Sequence, residues 1–283
     1  MPEAPDLYVV REYLERTLTG LSVTRAEALR PIVLRSLAAP LERFAEDIEG
    51  RTLDAFWRRG KFLGIELSGG ADGERRTLVV NPMLSGALQR CAPTERVSAR
   101  TYLSLTLSDG SQLRYTDDDQ MGMVYYVLPE QLSQAARLGE QGPDVLDEPL
   151  SLAAFTDRLK PYRGEIKGVL TRGGAVSGIG NAYADEVLFA AGIYPFKKRT
   201  SLSPAELAAL HDAVYRVPAD AVPLLRERMG DTIHRKVRDH LKVHGRANEA
   251  CPSCGAKLTH ITSNGHRTDY CRQCQPGSLL GRR

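Results

Sequence analysis

Ser177-Gly178-Ile179-Gly180-Asn181-Ala182-Tyr183-Ala184-Asp185-Glu186 runs from a glycine turn into a helical stretch. Glycines let a backbone approach a bulky ligand closely. Asn181 stands at or near the helix start, where its side chain suits a cap, and the same place offers backbone N–H groups to a phosphate. A nucleotide-binding Gly-x-Gly needs a buried strand before it within a βαβ unit. The flanks here read as helices instead, over 151–159, 165–172, 182–191, 203–217 and 222–229. Pro204 directly after Ser203 is a helix-start signal. Two helices around a glycine turn suit a motif that grips a phosphate backbone; a plain capped helix is the alternative.

Charge separates the region around this turn from what precedes it. The 283 residues carry a net charge of only +3. Residues 1–150 hold 17 Lys+Arg against 23 Asp+Glu, and residues 151–283 hold 21 against 12. All six histidines fall in the second part, from His211 to His266. Such an asymmetry points to a polyanion partner for the basic part, or to two domains that merely differ in charge. Hydrophobic residues at 42% suffice for real cores. The sequence has no apolar run of the ~18 residues a membrane span needs and no signal-peptide pattern after Met1, so the expectation is a cytoplasmic protein with no membrane partner, nucleoid-associated if bacterial.

Before residue 150 the periodicity changes. Residues 5–19 predict an amphipathic helix with Leu7, Val10, Leu14 and Leu18 on one face and Gly20 after it. Segments 21–28, 52–57, 62–68, 77–82, 85–91, 102–108, 112–117 and 122–128 then read as strands, with Asp109-Gly110 marking a hairpin. This predicts a mostly β domain, a sandwich or barrel with a leading helix. The turn formers of 139–144 read as a linker.

Five cysteines in this length are no disulfide framework. Cys91 stands alone and reads as a small buried hydrophobe. Cys251-Pro252-Ser253-Cys254 and Cys271-Arg272-Gln273-Cys274 are separated by sixteen residues. Four thiolates at this spacing can close a tetrahedron around one Zn²⁺, a structural site with no open position for water. The segment is too small to fold by apolar burial, so the metal is expected to supply most of its stability. Two redox dithiols are the alternative. His260 and His266 lie between the pairs and are spare ligands in principle.

Taken together and in order, Met-Pro-Glu at the start, the 178–186 turn and the four-Cys hairpin resemble the formamidopyrimidine-DNA glycosylase/endonuclease VIII family of base-excision repair enzymes. Arg58-Arg59-Gly60-Lys61-Phe62-Leu63, in what reads as an early strand, Leu188-Phe189-Ala190-Ala191-Gly192-Ile193-Tyr194-Pro195 and Val243-His244-Gly245-Arg246 match as well. The resemblance spans the chain. It implies an α+β multidomain fold: a catalytic N-terminal β-sandwich with a leading helix (1–135), a helical DNA-binding domain with a helix–two-turns–helix motif (136–245) and a C-terminal zinc β-hairpin (246–283).

It also implies a bifunctional glycosylase/AP lyase. Met before Pro is normally removed, which exposes Pro2 as a secondary amine, and an α-amino group titrates near about 7.7–8.0. Such an amine can attack the deoxyribose C1′, displace a damaged base and form an iminium, after which β- and δ-elimination release the phosphates. Glu3 is placed to move protons, and Lys61 to neutralise a phosphate or assist the leaving base. By residue type alone, Pro2 is a rigid terminus and Lys61 a solvated strand lysine. The resemblance gives Lys167 and Asn181 phosphate contacts, with salt-dependent binding. It requires a flipped base, with Leu84 and Met121 as apolar wedges in the gap; core or turn roles are the alternative. The partner is double-stranded DNA carrying a damaged base or abasic site, and the chain is expected to act as a monomer.

Two positions depart from the family pattern. Family members acting on 8-oxoguanine typically follow Tyr-Thr-Asp with Pro-Arg-Arg-Phe; this chain has Asp118-Asp119-Gln120-Met121. Asp119 replaces the arginine that pairs with the orphaned cytosine and cannot supply its paired donors. The usual zinc-hairpin arginine aligns to His266, with Arg267 one place later. Excision of 8-oxoguanine opposite cytosine is therefore expected to be weak, and the 142–147 linker looks more like endonuclease VIII. A non-enzymatic binder of damaged or abasic DNA on the same scaffold is the competing reading. A zinc-ribbon protein binding RNA or protein leaves the N-terminal motif unexplained.

Overall fold

The computed structural model describes residues 1–263 and 265–277, the side chains of Ser263 and His266 excepted. It divides into two compact units: Met1–Pro2 with Asp6–Glu140 and Arg226–Lys236, and Glu3–Pro5 with Gln141–Leu225 and Val237–Arg283.

The leading helix α1 spans Ala4–Leu18. Leu7, Val10, Leu14 and Leu18 are all buried, as their i, i+3, i+4 spacing requires. The first unit then forms two sheets. One has the order β1-β7-β8-β6, from strands Val23–Glu27, Thr101–Leu107, Gln112–Thr116 and Ala87–Cys91. The other has the order β2-β9-β5-β4-β3, from Leu34–Ser36, Met123–Val127, Arg76–Asn81, Phe62–Gly69 and Arg51–Arg59. Phe62, Val79, Tyr125 and Val127 pack with Ala135 and Leu138 in one apolar cluster. Asp109 and Gly110 turn β7 into β8, as expected.

No strand pattern is visible in the residues of β2, which pairs parallel to β9 (Leu34 with Val124). Its three residues are too few to show alternation, and only the partner strand makes them a strand. The short helix α2, Phe44–Ile48, follows it. Asp47 of α2 receives bonds from Arg76 Nε at 3.0 Å, Arg51 at 3.3 Å and the Tyr126 hydroxyl at 2.5 Å. Arg51 is only 1% exposed, so this polar cluster sits inside the unit.

The second unit is helical: α3 Leu152–Leu159, α4 Ile166–Thr171, α5 Asn181–Ala190 and most of α6. The sequence reads 203–217 and 222–229 as separate helices. The structure has one helix, α6, Pro204–Met229, with Pro218 and Pro223 inside it. An interior proline costs about 3 kcal/mol. Leu210, Ala213, Val214, Ala221, Val222 and Leu225 are buried at helical spacing on both sides of Pro218, and that burial carries the helix through. The antiparallel hairpin of β10 (Thr259–Ser263) and β11 (His266–Tyr270) completes the unit. No helix of the described residues is long and apolar enough to cross a membrane.

Candidate active site and four-cysteine hairpin

In the second unit, Glu3 lies against the start of α5. Its carboxylate accepts backbone N–H groups from Gly180 at 2.6 Å, Ala182 at 2.9 Å and Tyr183 at 3.1 Å. These are the unpaired donors of a helix N-terminus, a place that favours an anion. Glu3 is 1% exposed. Ala4 N–H donates to the Gly178 carbonyl at 2.9 Å, and a Cβ on Gly178 would lie 2.6 Å from that of Ala4. The glycine turn therefore seats the start of α1. The expected Asn181 cap is not formed: Gly180 is the N-cap and makes no side-chain bond. Glu3 takes that role, because a bidentate carboxylate reaches three donors where an amide reaches one. Asn181, half-buried, instead donates to the Arg267 carbonyl at 2.8 Å.

Lys167 also points inward. Its ammonium pairs with Asp185 Oδ1 at 2.7 Å and donates to the Arg267 carbonyl at 2.7 Å and Thr268 Oγ1 at 2.9 Å. Burial pulls it below the usual lysine range, against the opposing pull of Asp185, Asp269 and Glu3. Lys167, expected to contact phosphate, lies here in a buried ion pair at 7% exposure. Arg267 is half-exposed and donates through Nε to Asp269 at 2.7 Å. The side chain of His266 lies outside the described residues.

Sequence reading missed the acidic pair that follows the turn. Glu186 accepts the backbone N–H groups of Lys242, Val243 and His244 at 2.8–2.9 Å. Asp185 holds His244 Nδ1 at 2.7 Å, and Asp269 holds the Gly245 N–H at 2.9 Å. The Val243-His244-Gly245 motif is thus pinned to α5. Two adjacent acids on an otherwise apolar helix were the available signal. Asp185, His244 and Asp269 bring ligand atoms within 4.8 Å of one another. Lys167 on Asp185 and Arg267 on Asp269 already supply the positive charge there.

The four hairpin cysteines bring their sulfurs within 4.8 Å of one another. Cys251 and Cys274 are 3.8 Å apart, and Cys254 and Cys271 3.5 Å. Sulfurs about 2.3 Å from a tetrahedral ion would lie about 3.8 Å apart, so this set fits a metal. Against burial, which raises it, N–H groups of Ser253 and Cys254 bring the Cys251 thiol down to about 7. Burial and the neighbouring thiols push Cys271 and Cys274 up. A bound cation would resolve that conflict by holding all four as thiolates. Apolar packing also holds the hairpin. Cys251, Leu258 and Cys271 pack on Phe189 and Val243, and Tyr270 packs on Tyr194 and Phe196. Cys91 is buried and its thiol is raised by burial, as expected of an inert side chain.

In the first unit, Lys61 is not in a strand. It sits with Gly60 in the two-residue turn of the β3–β4 hairpin, where Gly60 takes φ 58°. That left-handed value is what a two-residue hairpin turn asks of glycine. Pro2 belongs to the same unit and is partly buried. Leu84 and Met121 are 43% and 47% exposed, on the loops after β5 and β8, so neither is a core residue.

Two family models match the chain: the formamidopyrimidine-DNA glycosylase N-terminal domain over residues 1–124 and the formamidopyrimidine-DNA glycosylase H2TH domain over 141–234. The chain belongs to the formamidopyrimidine-DNA glycosylase family. A formamidopyrimidine-DNA glycosylase of Symbiobacterium thermophilum is 34% identical over 286 residues, covering 98% of this chain and 90% of the relative. One from Pelotomaculum thermopropionicum is 32% identical, covering 97% and 99%. A MutM structure in complex with DNA containing carbocyclic 8-oxo-G superposes with a TM-score of 0.86 at 26% identity, covering 98% of this chain and 100% of that one. Within this glycosylase family fold, the second unit brings Glu3, Asn181, Lys167 and Arg267 onto one network through α5 and β11. The first carries Pro2, Lys61, Leu84 and Met121.

Proposed function

We propose that this chain is a bifunctional DNA glycosylase and AP lyase of base-excision repair, with Pro2 as nucleophile once Met1 is removed. The observation that carries the reading is the seat of Glu3. Three backbone donors fix its carboxylate one residue from the proposed amine. A general acid/base must be held in place before its proton affinity matters, and a helix N-terminus is rigid. Family membership supports the same assignment.

In the proposed sequence, the unprotonated Pro2 nitrogen attacks C1′ and the C1′–base bond breaks, the base leaving with a proton. The sugar ring opens to an iminium as its ring oxygen takes up a proton from solvent, relayed by the Glu3 carboxylate. The iminium acidifies C2′. Loss of that proton expels the 3′ phosphate, and a second elimination expels the 5′ phosphate. Lys61, at a hairpin tip, neutralises phosphate charge or assists the departing base. Leu84 and Met121 fill the gap left by the flipped base. Asn181 and Arg267 are proposed as DNA contacts, together with His266 at the position of the family arginine. Cys251, Cys254, Cys271 and Cys274 hold one structural Zn²⁺, which supplies fold and no chemistry. The working division is 1–135, 136–245 and 246–283. One chain carries every group this reading uses, so a monomer suffices.

The substrates are duplexes bearing oxidised bases. Asp119 is exposed where family members acting on 8-oxoguanine carry arginine, which argues for weak excision of 8-oxoguanine opposite cytosine. Borohydride trapping on an abasic duplex tests the amine. A covalent adduct with wild type and its loss in Pro2→Gly are expected. An undiminished adduct in that variant, or none with wild type, rejects the mechanism.

A further inference from the structure

Leu84 and Met121 stand on different loops, 82–86 and 117–122, yet one buried carboxylate ties those loops together. Asp117 is 1% exposed. Its Oδ1 accepts the Ser85 hydroxyl at 2.5 Å and the Asp119 N–H at 3.2 Å, and its Oδ2 accepts the Gly122 N–H at 2.7 Å. The Asp119 N–H is shared with Ser85 Oγ at 2.8 Å. Below them, the Tyr115 hydroxyl lies 3.5 Å from Asp117 Oδ2. It fills the space beside one glycine of each loop: a Cβ would lie 2.3 Å from it at Gly86 and 1.8 Å at Gly122. From outside, Lys236 Nζ donates to the Leu84 carbonyl at 3.1 Å.

The backbone next to each apolar tip is left-handed without glycine: Met83 has φ 46° and Gln120 φ 57°. Non-glycine residues hold such values only where the surroundings over-determine them. Here Asp117 brackets Gln120 through the Asp119 and Gly122 N–H groups, while Met83 donates to Asn81 Oδ1 at 3.3 Å in the loop that Ser85 ties to Asp117; the residues so constrained are the neighbours of Leu84 and Met121.

We propose that the Ser85–Asp117 pair is a positioning device that makes the two loops one body, so that Leu84 and Met121 enter the base stack as a preformed double wedge. The inference rests on the reading of those two side chains as wedges. Asp117 and Ser85 act through the tips and are positioning residues. Ordering both tips before DNA arrives removes a cost that two independent loops would meet at binding.

The test compares two substrates with the full chain. One is a duplex with a single oxidised base that wild type excises. The other is a single-stranded oligonucleotide with an abasic site, which has no stack to wedge. Ser85→Ala is expected to slow single-turnover excision from the duplex by about tenfold to a hundredfold, the scale of a small misplacement, and to leave trapping on the single strand unchanged. Ser85→Thr, which keeps the hydroxyl, is expected to restore the duplex rate. A 2-aminopurine beside the lesion is expected to brighten with wild type and less with Ser85→Ala. Equal loss on both substrates, or no loss on the duplex, overturns the proposal. Leu84→Ala and Met121→Ala separate the two ideas. If they slow duplex excision while Ser85→Ala does not, the coupling is wrong and the wedge stands. If neither slows it, the wedge reading falls and the coupling with it.

Discussion

Replacing Lys167 by methionine should damage the fold rather than the affinity for phosphates. Asp185 is fully buried, with Lys167 at 2.7 Å, and Asp269, also fully buried, adds a second negative charge nearby. Lys167→Met removes the cation and leaves the Asp185 carboxylate with only His244 and the Asp269 N–H. Breaking a buried pair from one side costs about 3–5 kcal/mol, because the remaining charge stays desolvated. At a urea dependence of about 2 kcal/mol/M the unfolding midpoint falls by roughly 1.5–2.5 M. Far-UV circular dichroism is the suitable probe, since the single tryptophan, Trp57, lies in the other unit. Lys167→Met/Asp185→Asn should recover part of the loss by removing the stranded charge. A lysine that met DNA phosphate would behave in the opposite way. Its removal would leave the midpoint in place and reduce the slope of log affinity against log salt by about 0.9. That pattern would refute the inward reading of Lys167.

Three further outcomes follow from other parts of the molecule. Burial raises the Asp47 carboxyl, but the hydrogen bonds and charges of Arg76, Tyr126 and Arg51 prevail and hold it below its ordinary value. A depressed folded pKa gives stability that is present above the ordinary carboxylate range and lost as pH falls through the folded value. Wild type should therefore lose stability in acid more steeply than Asp47→Asn, and parallel acid curves would count against this. Chelation should release one zinc per chain and expose 246–277 to protease while leaving the helical signal, because Tyr270 still packs on Tyr194 and Phe196. Release of no metal would remove the four-thiolate site. Asp119→Arg should raise the preference for 8-oxoguanine opposite cytosine about tenfold over other opposite bases, the scale of one well-placed bidentate contact; an unchanged preference would show that Asp119 does not set it.

The sequence by itself marked most of the elements and the four-cysteine site. Residue pattern between turn formers marked nearly every strand of the first unit, whether one face is exposed, as in β3, or both are buried, as in β5 and β7. Four cysteines in two close pairs marked the hairpin, because spacing alone fixes which thiols can share an ion. What only the tertiary structure decided was where polar groups point. Nothing local distinguishes an ammonium aimed at solvent from Lys167 aimed at Asp185, since the partner lies on another helix. Asn181 and Glu3 exchanged the cap of α5 for the same reason: the better acceptor is 177–180 residues away in the chain. Pro218 predicts a break that the apolar face of α6 overrides. The Asp117-Asp118-Asp119 run, three like residues in the sequence, separates into a buried clamp at Asp117 and two exposed acids. Burial is set by the whole fold, so residues of one type and one neighbourhood take different work.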